Sequence, residues 1–202
     1  MKKYRKAEIS VAIGLIVALV FSVCGFGADC ADVRENVVRL HILANSDSEA
    51  DQKVKLLVRD ALLQSGAEIF SGAVTVEDAA AVLENEKELI VSVAENVLHE
   101  NGFDYEVSVT MEREYFATRV YEEFTMPAGE YLALRVIIGN GNGKNWWCVM
   151  FPPLCLPAAG EKTDIDAILG ADGAKLIQSN PKYEMRFKIV EIYEKIKNAV
   201  SR

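Results

Sequence analysis

The stretch Tyr131–Cys155, YLALRVIIGNGNGKNWWCVMFPPLC, limits the possible folds more than any other part of the chain. It opens with an alternation in which Tyr131, Ala133, Arg135 and Ile137 oppose Leu132, Leu134, Val136 and Ile138. A period of two puts successive side chains on opposite faces and predicts a β-strand. The run breaks at Gly139-Asn140-Gly141-Asn142-Gly143, residue types that enter left-handed backbone conformations at low steric cost. Asn145–Phe151 then resumes as a second apolar strand, which Pro152-Pro153 ends. Two strands around such a turn predict a hairpin-like unit with a loop longer than the tightest two-residue type. The unit holds both tryptophans and two of the four cysteines, so the rest of the chain is expected to pack against it.

The N-terminus is of a different kind. Lys2, Lys3, Arg5 and Lys6 precede a run from Ile9 to Ala28 that contains no Asp, Glu, Lys or Arg. A cationic start before an apolar run predicts either a cleavable signal peptide over residues 1–28 or a retained membrane anchor. Small residues at Gly25, Gly27 and Ala28 suit cleavage, whereas Phe21-Ser22-Val23 makes a poor lipoprotein signal before Cys24. In both readings positive charge stays inside, and the domain from residue 29 to 202 lies outside the cytoplasm. Without its first eight residues, which contribute +3, the formal charge of −8 becomes −11. An acidic body repels nucleic acid and anionic headgroups. Nucleic acid is therefore not expected as a partner, and the membrane only through the N-terminal segment.

Outside the cell, thiols tend to pair. Cys148 and Cys155 flank the Pro152-Pro153 bend, which could return the chain on itself. A disulfide between them and a pair of reduced, buried thiols are both compatible with the spacing. Cys30 is left without an assigned partner.

Elsewhere the pattern alternates between strands and helices. Val37–Ala44 reads as a strand with Val38, Leu40 and Ile42 on one face. Ser48 with Asp51 starts a helix, carried by Val54, Leu57, Val58, Ala61 and Leu62, with Gly66 as its expected stop. Thr75 with Asp78 opens a second helical region, one long helix or two broken near Asn85, ending at Asn101-Gly102. Tyr105, Val107, Val109 and Met111 alternate with polar residues as a further strand. The link from Glu114 to Glu130 is aromatic and polar, and Ala158–Pro181 shows little pattern beyond a helical turn near Ile165–Leu169. Met185, Ile189, Ile192, Tyr193, Ile196 and Val200 close the chain as the apolar side of a helix, with Lys188, Glu191, Glu194, Lys195 and Lys197 on its outer side. The order β-α-α-β-β-β-α predicts an α/β chain of the α+β type. Its single domain would have one mixed or antiparallel sheet of about four strands with helices packed on it.

No catalytic constellation stands out. A phosphate loop would need glycine at Ile138 and Ser or Thr at Asn145, and a dinucleotide fingerprint would need glycine at Lys144. A cysteine–histidine enzyme could be drawn from Cys148 with His41 or His99, but Cys148 lies within an apolar strand. Asn45-x-Asp47-x-Glu49 resembles the start of a calcium loop, yet Ala50 stands where glycine is needed. No acidic pair is singled out as a glycosidase couple. No catalytic residue, cofactor or metal ligand is assigned, which leaves a binding or signalling protein ahead of an exported hydrolase acting on cell-wall material.

Three stretches carry a resemblance: RLHILANSDSEADQKVKLLVRD (Arg39–Asp60), REYFATRVYEEFTMPAGEYLALRVIIGNGNGKNWWCVMFPPLC (Arg113–Cys155) and FKIVEIYEKI (Phe187–Ile196). They resemble the stage II sporulation protein R family, N-W-W-C-V-x-F-P-P-L-C being the most specific part. Ala117 departs from the pattern where a proline is expected after Tyr115-Phe116. The resemblance implies a protein made in the forespore and exported into the space between forespore and mother cell. There it would activate a membrane-embedded aspartic protease that removes the pro-sequence of sigma-E. The motif does not mark the partner surface. Trp146 and Trp147 point to opposite faces of a regular strand, so either one lies in the core and the other is exposed as an interface anchor, or both are core residues. Arg119 and Tyr121 in the aromatic link, and His41, Asn45 and Asp47 at the strand–helix corner, are further candidates, beside plain packing and capping roles.

Overall fold

A computed structural model of the chain describes residues 2–70, 72–121, 124–155, 165–177 and 184–200. The elements are α1 (Lys2–Glu35), β1 (Val38–Leu43), α2 (Glu49–Ile69), α3 (Val76–Asn85), α4 (Lys87–Glu100), β2 (Val107–Phe116), β3 (Arg119–Val120), β4 (Thr125–Met126), β5 (Gly129–Ile138), β6 (Asn145–Phe151), α5 (Ile165–Ile177) and α6 (Glu184–Val200). The fold is α+β, and the chain divides into two compact units. One comprises Met1–Arg34, Ala117–Gly129 and Ala171–Arg202; the other comprises Glu35–Phe116 and Glu130–Gly170.

The second unit is built on a mixed four-stranded sheet in the order β2-β5-β1-β6. Here the expected hairpin is corrected: β5 and β6 are not neighbours, because β1 lies between them. β1 runs parallel to β5, with Leu40 opposite Leu134, and antiparallel to β6, with Leu40 opposite Cys148. A two-residue turn can join only adjacent strands, whereas the six residues from Gly139 to Lys144 easily cross the roughly 10 Å between strands once removed. All six residues of β1 are buried, as befits the central strand.

One sheet face carries the core. Val38, Leu40 and Ile42 meet Leu134, Val136 and Ile138 of β5, and α2, α3 and α4 contribute Val58, Leu83, Ile90 and Leu98. Each such side chain stabilises by about 2 kcal/mol when fully buried. Ser48 caps α2, its hydroxyl accepting from Asp51 N at 3.1 Å. Gly66 does not end α2. The helix continues to Ile69, with Phe70 N donating to Gly66 O, and a Cβ at Gly66 would stand in ordinary contact with Met150 of β6. Thr75 and Asp78 form the expected reciprocal capping box, and the following helical region is divided at Glu86.

In the first unit, β3 and β4 pair antiparallel within the aromatic link. The helix near Ile165 is longer than one turn. It runs to Ile177 with a break at Gly170 (φ 69°), and the remainder of Ala158–Pro181 lies outside the described residues. The larger correction concerns α6. Its apolar stripe faces outward, while Glu191 and Glu194 are buried with Phe187 and Val190. The cause is Arg34 at the end of α1. Its guanidinium, only 10% exposed, pairs with Glu194 at 3.1 Å and donates to Ala128 O. A cation so enclosed requires a carboxylate, and this turns the acidic side of α6 inward. The same packing sets Phe26 edge-on to Phe187 and buries Cys30 and Val33. The helix that begins in the apolar run thus continues without interruption past Ala28.

Candidate functional site

The sheet face opposite the core carries the unusual chemistry. Arg39 and His41 alternate with the core residues of β1, so both point to this face. Arg39 is fully buried. Its guanidinium lies 4.5 Å from the centre of Phe116 and 5.1 Å from that of Tyr131, and its Nε donates to Cys148 O. His41 has Nδ1 2.7 Å from Glu114 Oε2 and Nε2 2.9 Å from the side chain of Asn145. Its ring stacks on Trp147 at 5.5 Å, the residue directly opposite in the strand register. Nearby in the same unit Arg135 pairs with Glu112 at 3.0 Å. The arrangement fixes Trp147, half-buried, upon an imidazole that is itself held at both nitrogens.

A second cluster sits where the glycine loop crosses the end of β1. Gly143 N donates to Ala44 O and Asn142 N to Asn45 O. Asn45 Oδ1 accepts from Asn140 N, and Asp47 Oδ1 accepts from Lys144 N at 2.7 Å. Asp51 accepts from Ser46 Oγ, Asn45 Nδ2 and the Tyr105 hydroxyl. Burial opposes ionisation of Asp51, but hydrogen bonds from Ser46, Asn45, Tyr105 and Ser48 outweigh it and hold the carboxyl below its usual range. Lys55 reaches in from α2 and donates to Lys144 O at 2.8 Å; burial lowers its pKa, opposed by the charge of Asp47. Asn45 and Asp47 therefore serve the loop crossing, in place of a cation.

Trp146 and Trp147 lie on opposite faces, as expected, yet both are half-buried and neither is the fully exposed anchor. Trp146 packs on the core side, with the Arg59 guanidinium 4.5 Å over its ring. Arg119 lies in β3 and Tyr121 stacks on Phe124 at 4.5 Å; both belong to the first unit, the other five candidates to the second. Cys148 is joined to Cys155, with Cα atoms 6.2 Å apart. A Cys148–His41 catalyst is ruled out by that bond and by the register, which puts the two side chains on opposite faces. Among the described residues no three His, Cys, Asp or Glu side chains converge as metal ligands. Sequence reasoning missed Arg39, Glu114 and Asn145. The available signal was an arginine and a histidine at alternate positions of an otherwise apolar strand, since a central strand must bury both faces.

An apolar N-terminal helix leading into an acidic α+β fold closed by a disulfide is consistent with an exported protein. Residues 34–161 match the family described as stage II sporulation protein R, and the chain belongs to that family. The stage II sporulation protein R of Bacillus subtilis (strain 168) is 37% identical over 123 residues, which cover 61% of this chain and 55% of that protein. The match thus spans little more than half the length of that relative. No solved structure matches the chain. The Arg39–His41–Trp147 face and the loop crossing lie within the matched residues, and α6 lies beyond them.

Proposed function

We propose that this protein is an exported sporulation signal which activates a membrane-embedded aspartic protease across the space between forespore and mother cell, and so causes processing of pro-sigma-E. Family membership over residues 34–161 carries the reading. The apolar helix at the N-terminus and the disulfide support export, and the acidic surface suits a ligand for a protein receptor. Activation then follows from differential binding: the signal stabilises whichever receptor state it contacts better. Trp147 on its His41 support is the contact we assign to the receptor, because a rigid, half-buried aromatic offers area at little entropic cost.

Reconstitution in a non-sporulating host tests this. The chain is co-expressed, with and without residues 1–28, beside the cognate protease and the sigma-E precursor, and precursor size is followed by immunoblot. Processing is expected only when protease and export segment are both present, and Trp147→Ala is expected to reduce it at least tenfold with export unchanged. Absence of processing by folded, exported protein would refute the reading, and assays for cell-wall hydrolysis would then follow.

A further inference from the structure

Among the described residues, the outward face of α6 has no partner in the fold. Met185, Ile189, Ile192, Tyr193, Ile196 and Val200 are between 45% and 81% exposed, although an amphipathic helix normally buries such a stripe. Met185, Ile189, Ile192, Ile196 and Ala199 recur at intervals of four, three, four and three residues, the spacing of a two-helix seam.

We propose that α6 is a self-association helix, pairing in parallel with α6 of a second copy of this chain. Isoleucines at 189, 192 and 196 fill successive seam positions, so pairing buries the exposed stripe. The flanking charges select the direction. In a parallel pair Lys188 and Lys195 face Tyr193 and Val200 of the other copy, whereas an antiparallel pair sets lysine against lysine. Both lysines already share Glu191, at 3.2 and 2.7 Å, so pairing strands no uncompensated charge. Direction is also set by α1. Phe26 meets Phe187 and Arg34 meets Glu194, so α1 and α6 run the same way. Copies inserted in one membrane with their cationic ends inside therefore present α6 in a common orientation. Because the seam is already exposed and helical, pairing requires no unfolding, and confinement to a membrane raises the effective concentration. The inference does not rest on the receptor proposed above.

The test uses the full chain in neutral lipid vesicles, in a Cys24→Ser background, with single cysteines introduced for oxidative cross-linking. Met185→Cys and Ile192→Cys are expected to give covalent dimers, and Lys197→Cys, off the seam, is expected to give at most a tenth as much. Adding Ile192→Glu and Ile196→Glu to Met185→Cys should abolish its cross-linking and leave the helical content by circular dichroism unchanged, since both isoleucines are exposed in the single chain. Equal cross-linking at Lys197→Cys, none at the seam, or insensitivity to the double glutamate change would overturn the proposal. So would protection of Ile192→Cys from a water-soluble maleimide in Ile189→Glu/Ile196→Glu protein, which cannot pair, since this would show the stripe lying in lipid.

Discussion

Asp51 shows how a single residue organises the loop crossing. It gathers Ser46, Asn45 and Tyr105 side chains while its own backbone amide completes the cap of α2. Its pKa is lowered in the folded state, so its stabilisation is fully present above the ordinary aspartate value of about 4 and is lost as pH falls through the lower folded value. Asp51→Asn is expected to lower unfolding free energy at pH 7 by about 1–3 kcal/mol. The deficit relative to the parent should shrink as pH falls below about 4, where the parent loses the same charge. Urea titrations at pH 7 and pH 3 measure both; a deficit independent of pH would assign the effect to packing. The serine and aspartate signals at this corner were legible because capping is local in sequence. The acceptor roles of Asn45 and Asp47 toward residues 140 and 144 were not, because nothing in a single strand–helix junction reveals which loop will cross it.

At the scale of elements, the six-residue glycine loop is where sequence reading and structure part. Period and composition located β5, β6 and the break between them correctly. They could not show that β1, some ninety residues earlier, inserts between the two, since strand order is a non-local property. The glycines record it instead. A Cβ on Gly143 would collide with the backbone carbonyl of Ser46, and one on Gly139, at φ +56°, would stand 2.5 Å from Asn45 Oδ1. Gly143→Ala is therefore expected to destabilise by about 1–3 kcal/mol, because the obstructing atom is backbone and cannot rotate away. Gly66→Ala, inside α2 with an ordinary 3.5 Å contact, should be neutral or stabilising by up to about 1 kcal/mol. Equal effects in chemical denaturation would refute the crossing geometry. The inverted α6 was illegible for a related reason. Amphipathicity names two sides of a helix, but the enclosed Arg34 decides which one turns inward.

For the whole molecule, the disulfide is the feature of the fold that is consistent with export. Cys148 belongs to the core side of β6 and Cys155 follows the Pro152-Pro153 bend, so the bond ties the middle of an edge strand to the segment leaving it. Closing so short a loop stabilises by about 2.5 kcal/mol in the chain-entropy model. For a chain of this size, reduction should lower the thermal midpoint by about 5–10 °C. Cys148→Ser/Cys155→Ser protein should melt at that lower temperature with and without reductant. A midpoint indifferent to reductant in the parent would show that the bond contributes nothing. The α+β class and four-strand sheet were legible from period alone, whereas the division into two units was not, because the first unit is assembled from three separate stretches of chain.

The unbroken passage of α1 from its apolar run into buried Cys30, Val33 and Arg34 has a mechanical corollary. A protein carried on a disordered leash samples a hemisphere and meets receptors at any height. A helix whose far end is packed into the unit it carries acts as a stiff post: while it stays in the bilayer, it holds its own unit at a set elevation. Any surface of that unit is then offered within a thin slab parallel to the membrane.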